Sequence, residues 1–244
     1  MDTIEGRNPV LEALRSGRPI SKILLAKNIE RHSTLAEIIH QANSQGILLE
    51  YVDRQAIDRQ SQTRVNQGII ALTAAKDYVD LSDLLEISRS KGEPAFFVIL
   101  DGVEDPHNLG AILRTADATG VHGVIVRERR AVGLTPAVEK ASAGAVEYVP
   151  VARVTNLNRT LETLKENNIW IVGIDRDAST DFTGIDYRPA TALVIGGEGQ
   201  GISDLVKKNC DFLASIPMRG KISSLNASVA AAVVMYEVLK QRQK

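Results

Sequence analysis

Along this chain, apolar positions that recur with a period of about 3.6 alternate with short uninterrupted apolar runs, and the alternation divides the chain into elements. Asn8-Pro9 followed by Val10, Leu11 and Leu14 predicts a helix over residues 4–16, with proline in its first turn and Gly17 as its stop. Ile20 to Ala26 reads as a strand. Leu35, Ile38, Ile39 and Ala42 share one face of a helix from Thr34 to Gln45, which Gly46 ends. Ile47 to Val52 reads as a strand, Asp53 as the cap of a short helix, and Gly68 to Leu72 as another strand. Helices and strands alternating in this way make a small α/β sandwich. The pattern then lapses: Thr73 to Pro94 is acidic and polar, with one short amphipathic piece at Leu81, Leu84 and Leu85. Residues 75–94 therefore read as a linker between a first domain, 1–74, and a second, 95–244.

The second domain opens on Phe96 to Leu100, an unbroken apolar run suited to a central parallel strand. A loop through Pro106 delivers Asn108 to a helix over Leu109–Thr119. A strand follows at Val124–Val126, then a helix from Pro136 to Gly144, a strand at Val146–Val151, and a helix marked by Leu157, Leu161 and Leu164. Ile169–Ile174 and Thr191–Ile195 are further strands. The fold class is α/β, with a doubly wound parallel sheet. The strand ending at Ile195 empties into Gly196, Gly197, Gly199 and Gly201. A short connector and a second Gly-containing loop lead to a last helix that starts at Asn226 or Ser228, rich in small residues at Ala227, Ala230, Ala231 and Ala232.

Composition narrows the function classes. The 244 residues hold no run of eighteen apolar positions, and the N-terminus is not a signal peptide, so neither a membrane span nor secretion is expected. The lone Cys210 excludes an internal disulfide and fits a reducing, cytoplasmic setting. His32, His40, His107 and His122 have no metal-ligand spacing, so no metal is expected. Net charge is −1, and it divides as +1 over residues 1–72, −2 over 73–95 and zero over 96–244. Bulk charge therefore does not hold this chain to nucleic acid; RNA binding would rest on local groups such as Arg127, Arg129 and Arg130, or Arg219 and Lys221.

The glycines permit positive φ or close approach of a ligand to the backbone. A phosphate cradle fails on detail: Gly196 and Gly201 have P-loop spacing, but Ile202-Ser203 stands where Lys-Ser or Lys-Thr is required. Gly197-Glu-Gly199-Gln-Gly201 also misses the dinucleotide fingerprint. On a helical wheel Leu109, Ile112, Leu113 and Ala116 cluster, and Arg114 lies opposite, beside the small Gly110 and Ala118. Taken singly, Arg114 also fits a solvated helix face, Asn108 an N-cap, Glu198 a loop carboxylate, and Ser224 and Asn226 caps of the last helix.

Three blocks taken together are more specific. They are Gly102 to Gly120 with Asn108 and Arg114, Ile195-Gly-Gly-Glu-Gly-Gln-Gly-Ile202, and Ile216-Pro-Met-Arg-Gly with Ser224-Leu-Asn-Ala-Ser-Val-Ala. This combination closely resembles the three motifs of the SpoU (TrmH) family of AdoMet-dependent RNA 2′-O-ribose methyltransferases, over about residues 95–240. Ile4-Glu-Gly-Arg-Asn-Pro-Val-Leu-Glu-Ala-Leu14 resembles the L30e-like RNA-binding domain of family members that methylate a guanosine ribose of 23S rRNA. One departure is Asn66-Gln67-Gly68, where relatives often have His-Gln-Gly.

The resemblance implies a SPOUT-type catalytic domain with a C-terminal trefoil knot, which no residue pattern announces. It further implies S-adenosyl-L-methionine as methyl donor, a homodimer with its active site at the subunit interface, and 23S rRNA near the peptidyl-transferase P loop as substrate. A tRNA, another rRNA nucleotide, or a non-catalytic role in RNA binding or ribosome assembly is the alternative. By the same resemblance Arg114 acts at the 2′-hydroxyl, Asn108 holds Arg114 or the ribose, Glu198 orients Arg114 or accepts from it, and Ser224 and Asn226 contact RNA or the first block. Gly196, Gly197, Ile216, Met218 and Leu225 would line the AdoMet pocket. A guanidinium stays protonated near neutrality, so Arg114 either is strongly perturbed or remains charged, grips a phosphate and stabilises developing alkoxide.

Overall fold

The computed structural model describes residues 2–30, 32–63 and 65–243. The chain forms two compact units: residues 1–77 with 133–148, and residues 78–132 with 149–244.

In the first unit, β1 (Asp2–Glu5), β2 (Ile20–Ala26), β3 (Leu48–Val52) and β4 (Ile69–Thr73) form a sheet in the order β1-β4-β2-β3. β4 runs antiparallel to both its neighbours, and β2 and β3 are parallel. Alternation along β2 explains the layers. Ile23 and Leu25 join Val10, Leu11, Leu14, Leu35 and Ile38 of α1 (Arg7–Arg15) and α2 (Ser33–Ser44), whereas Leu24 and Ala26 meet Ile57 of α3 (Arg54–Gln60) on the opposite face. The expected first helix thus gives up its first residues. Ile4 lies in β1, and Gly6 at φ 97° turns the chain before α1, a conformation that favours glycine. Asn66, the departure from the usual His-Gln-Gly, is fully buried: its amide donates to Asp58 at 2.9 Å and its carbonyl accepts from the Gly68 N–H at 2.9 Å.

The second unit holds seven strands in the order β7-β6-β5-β10-β8-β11-β9, all parallel. They are β5 (Phe96–Asp101), β6 (Gly123–Arg127), β7 (Val151–Val154), β8 (Trp170–Ile174), β9 (Thr180–Asp181), β10 (Thr191–Gly196) and β11 (Phe212–Ser215). Every residue of β5 is buried, as its apolar run requires. The stretch expected to be a linker contains α4 (Leu81–Lys91), with a capping box between Asp80 and Asp83. Its Leu84 and Leu85 enter the core with Leu157, Leu161 and Leu164 of α7 (Leu157–Glu166) and Val206 of α8 (Asp204–Lys208). α5 (Pro106–Ala118) and α9 (Ala227–Arg242) pack together.

Two further expectations change. α6 (Pro136–Ala141) and the 3-10 turn Ala145–Glu147 belong to the first unit. The strand expected at Val146–Val151 begins only at Val151, because Gly144 at φ 97° starts the 3-10 turn and Val146 is buried within it. The connector after Ser203 supplies α8 and β11.

Candidate active site

The C-terminal ends of β5, β8 and β10 deliver the residues of interest, the position where parallel sheets commonly bind ligands. At the end of β5, Asp105 caps α5 by accepting from the His107 N–H at 2.9 Å, and Pro106 occupies the first turn. Asn108 is therefore a first-turn residue of α5 rather than its cap, and it is buried.

At the end of β10 the Gly197 N–H donates to the Asp101 carbonyl at 2.9 Å, and the Gly201 N–H closes back on the Gly197 carbonyl at 3.1 Å. A Cβ on Gly197 would lie 2.0 Å from the Gly102 carbonyl oxygen, and one on Gly196 would lie 2.1 Å from the Gly201 carbonyl carbon. The glycines thus let two loops touch backbone to backbone. Glu198 stands out from this turn toward solvent.

Asn226 is the N-cap of α9. Its Oδ1 accepts from the Ser228 N–H at 2.9 Å, the Ser228 hydroxyl at 2.6 Å and the Val229 N–H at 3.3 Å. That leaves its amide nitrogen free to donate to Asn108 Oδ1 at 2.9 Å and to Glu198 Oε1 at 2.7 Å. Asn108 Nδ2 also donates to Glu198 Oε1, at 3.1 Å. These bonds close a triangle of two amides and one carboxylate from three separate motifs.

Beside the triangle lies a cavity of about 440 Å³, within the range of small-molecule sites. Gly196, Gly197, Ile216, Met218 and Leu225 line it, together with Glu198, Ser224 and Asn226. Asn108 reaches it through the triangle. Arg114 does not line it: the residue is exposed on α5 and makes no hydrogen bond or ion pair among the described residues. The expected pairing of Glu198 with Arg114 is absent within this chain, and Glu198 is held by amides instead.

The sequence reading missed the polar end of the cavity. Asp175, directly after β8, faces it with Arg176, Asp177 and Lys207. Burial alone would raise the Asp175 carboxyl, but Lys207 Nζ at 2.5 Å and the Asp177 N–H at 2.9 Å outweigh it and hold the group below the usual range. The available signal was position alone: three charged residues immediately follow a predicted strand of a parallel sheet.

The cavity pairs an apolar wall with a charged end. Ile195, Ile216, Leu225 and Ala230 form apolar wall, and the far end carries both signs of charge. Among the described residues no group of histidine, cysteine and acidic side chains could hold a metal ion, and no helix is long and apolar enough to cross a membrane.

Comparison with known proteins gives a consistent result. Residues 95–236 match the SpoU rRNA Methylase family, and residues 3–79 match the family described as RNA 2′-O ribose methyltransferase substrate binding. The α6 excursion at 133–148 stands inside the first match yet folds with the first unit. A Bacillus subtilis protein, YacO, provisionally named a TrmH family tRNA/rRNA methyltransferase, is 51% identical over 241 residues, spanning 99% of this chain and 96% of that protein. The crystal structure of the SpoU methyltransferase AviRb from Streptomyces viridochromogenes, in complex with AdoMet, superposes with a TM-score of 0.80 at 26% identity, covering 99% of this chain and 90% of that one. An AdoMet-bound rRNA methyltransferase from Sinorhizobium meliloti does so with a TM-score of 0.75 at 25% identity, covering 98% and 87%.

Proposed function

Because the chain belongs to the SpoU/TrmH family of RNA methyltransferases, an AdoMet-dependent family of tRNA and rRNA 2′-O-methyltransferases, we propose that it methylates the ribose of a guanosine in 23S rRNA, in the P-loop region. The observation that carries the site assignment is the Asn108–Glu198–Asn226 triangle at the cavity rim. The rRNA target is supported by the substrate-binding match over residues 3–79 and by the near full-length likeness to the Sinorhizobium meliloti rRNA methyltransferase. The same reading carries an L30e-like first unit, a trefoil knot in the last segment, a cytoplasmic setting and a homodimer. Val229 and Tyr236, exposed on α9, give such a dimer an apolar seam.

In this reading Gly196, Gly197, Ile216, Met218 and Leu225 hold AdoMet, with backbone groups and apolar walls for its adenosine and the charged far end for its amino-acid tail. AdoMet, when bound, supplies an already activated methyl group. What remains for the protein is to align a weak nucleophile and to disperse the negative charge it develops. The triangle does the aligning. Glu198 accepts from both amides, so its position is fixed relative to α5 and α9 together. Ser224, which lines the cavity, contacts the RNA. Arg114, exposed and unpaired among the described residues, grips a backbone phosphate and stabilises the alkoxide in a site completed by a second subunit.

The test is transfer of labelled methyl from AdoMet to deproteinised 23S rRNA and, separately, to bulk tRNA, with the label mapped to alkali-resistant ribose. Label on a 23S guanosine supports the proposal. Label on tRNA alone overturns the substrate, and AdoMet binding with no transfer to either RNA favours a silent RNA binder. Arg114→Ala should abolish transfer and leave AdoMet affinity unchanged; loss of AdoMet binding would remove its assigned role.

A further inference from the structure

Asp101 touches neither the cavity nor the triangle, yet it is the point to which both ends of the glycine turn are tied. It is the last residue of β5 and is buried. Its backbone carbonyl accepts from the Gly197 N–H, at the start of the turn. Its Oδ2 accepts from the Ser203 N–H at 2.9 Å and the Ser203 hydroxyl at 2.7 Å, at the end of the turn. Its Oδ1 accepts from Arg127 Nη1 at 2.9 Å, at the end of β6. Ser203 occupies the N-cap position of α8, but its hydroxyl makes no capping bond and is committed to Asp101 instead.

We propose that Asp101 is a positioning residue for AdoMet binding: a two-sided carboxylate clamp that closes the 196–203 turn around its base and so sets the cavity wall and Glu198, with Arg127 as its counter-charge. The inference rests on the reading of the cavity as the AdoMet site. Its physical content is the number of acceptors. Donors approach both carboxylate oxygens, and only a carboxylate can accept on both sides. An asparagine has one oxygen, so in Asp101→Asn the amide nitrogen must face either the Arg127 guanidinium, donor against donor, or Ser203, whose hydroxyl can turn to accept but whose N–H then loses its acceptor. Whichever way the amide turns, one side opens, and the guanidinium also loses its charge partner.

The clash is reversible by design. Arg127→Gln removes the opposing guanidinium donors and leaves a shorter side chain, so that water in the space it vacates accepts from the amide nitrogen of Asp101→Asn, leaving the asparagine oxygen for Ser203. Arg127→Gln alone leaves Asp101 Oδ1 to water at a half-exposed position and should be mild. A loss of general packing would not be repaired by changing a half-buried arginine, whereas a lost clamp would be.

The experiment has two readouts on the full chain. Amide hydrogen exchange without ligand should show Gly197, Gly201 and Ser203 exchanging at least tenfold faster in Asp101→Asn and returning near wild type in the double variant Asp101→Asn/Arg127→Gln. Titration with AdoMet should show affinity about tenfold weaker in Asp101→Asn, with the KM for RNA unchanged in that single variant, and recovered to within roughly threefold in the double variant. Wild-type exchange in Asp101→Asn, or acceleration that the double variant does not reverse, overturns the clamp. Restored exchange without restored AdoMet affinity overturns its link to the cofactor. Should the wild-type chain fail to bind AdoMet, the cavity reading falls and the link falls with it, while the exchange pattern still decides the clamp.

Discussion

Each unit of this molecule gathers carboxylates and polar partners from distant parts of the chain, and the two gatherings are built on opposite principles. In the first unit Arg18 Nη1 donates to Glu139 Oε1 and Glu147 Oε1, both at 2.7 Å, and Arg18 Nη2 donates to the Ala74 carbonyl at 2.9 Å. These side chains are only 6%, 1% and 2% exposed for Arg18, Glu139 and Glu147, and Lys76 adds a second cation at Glu147. In the second unit Glu198 has no ion-pair partner among the described residues; it is exposed, held by two neutral amides and set at a cavity. A carboxylate removed from water requires a counter-charge, and that requirement consumes its chemistry. One left in solvent can be fixed in place by amides and keep its charge for a ligand. The contrast separates a structural cluster from a working one more sharply than residue type does.

The largest test removes the counter-charge. Arg18→Met leaves Glu139 buried without a cation and Glu147 with Lys76 alone, and should destabilise the first unit by about 3–5 kcal/mol. Hydrogen exchange across β4 and α6 reports this, while AdoMet binding in the second unit should persist. A change below about 1 kcal/mol would show that the cluster is solvated and would end the comparison.

Acidity probes the same cluster more gently. Burial pushes the Glu139 carboxyl up to about 7 against the pull of Arg18, with Glu147 and Asp2 adding repulsion, and Glu139 Oε2 has no hydrogen-bond partner among the described residues. A carboxyl that holds its proton more tightly when folded stabilises the fold at low pH. Stability should therefore fall as pH rises from about 4.5 to about 7 and level off above. The total is up to roughly 3 kcal/mol, since each unit of displacement is worth about 1.4 kcal/mol. Exchange at the α6 amides measured from pH 5 to pH 8 checks the slope, and Glu139→Gln should flatten it. A slope of opposite sign would mean that Arg18 dominates burial.

On the other side, Glu198→Gln keeps one acceptor and the shape but loses the charge. Turnover should drop ten- to a hundredfold, about 1.4–2.7 kcal/mol in activation free energy. Thermal stability should stay nearly unchanged, because the group is exposed. A large stability loss with intact turnover would make Glu198 structural and erase the distinction between the two clusters.

How far the sequence disclosed these two clusters follows from the range of the interactions. The β5 run and the Gly196–Gly201 turn are local patterns, and both were readable, as were the three blocks that meet at the triangle. The Arg18 cluster was not, because Glu139 and Glu147 look like ordinary helix charges and their partner lies 121 and 129 residues away. For the same reason 133–148 read as part of the second domain. The stretch expected as linker holds α4 because Asp80 and Asp83 form a capping box, which acidic composition alone does not distinguish from a solvated acidic segment. The β1 error came from letting the helical period run back through Gly6, whose φ of 97° breaks it. Arg114 shows the converse. Its open helix face was legible, and the structure leaves the residue exposed with no hydrogen bond or ion pair among the described residues.

The smallest effect sharpens the comparison from inside the buried cluster. Lys76 Nζ lies 2.9 Å from Glu147 Oε2, as close as many strong pairs, but its side chain is 26% exposed where Arg18 is 6%. If proximity of opposite charge were what mattered, Lys76→Met and Arg18→Met would cost similar amounts. If the decisive quantity is the desolvation of the carboxylate, then Glu147 keeps Arg18 in Lys76→Met, water replaces the ammonium at the open side, and the cost should stay below about 1 kcal/mol. Exchange at the amides of the Ala145–Glu147 turn, measured in both variants under one set of conditions, gives the ratio directly. Equal costs would mean that the net charge of the cluster governs it, and burial would no longer distinguish it from the exposed, cation-free Glu198.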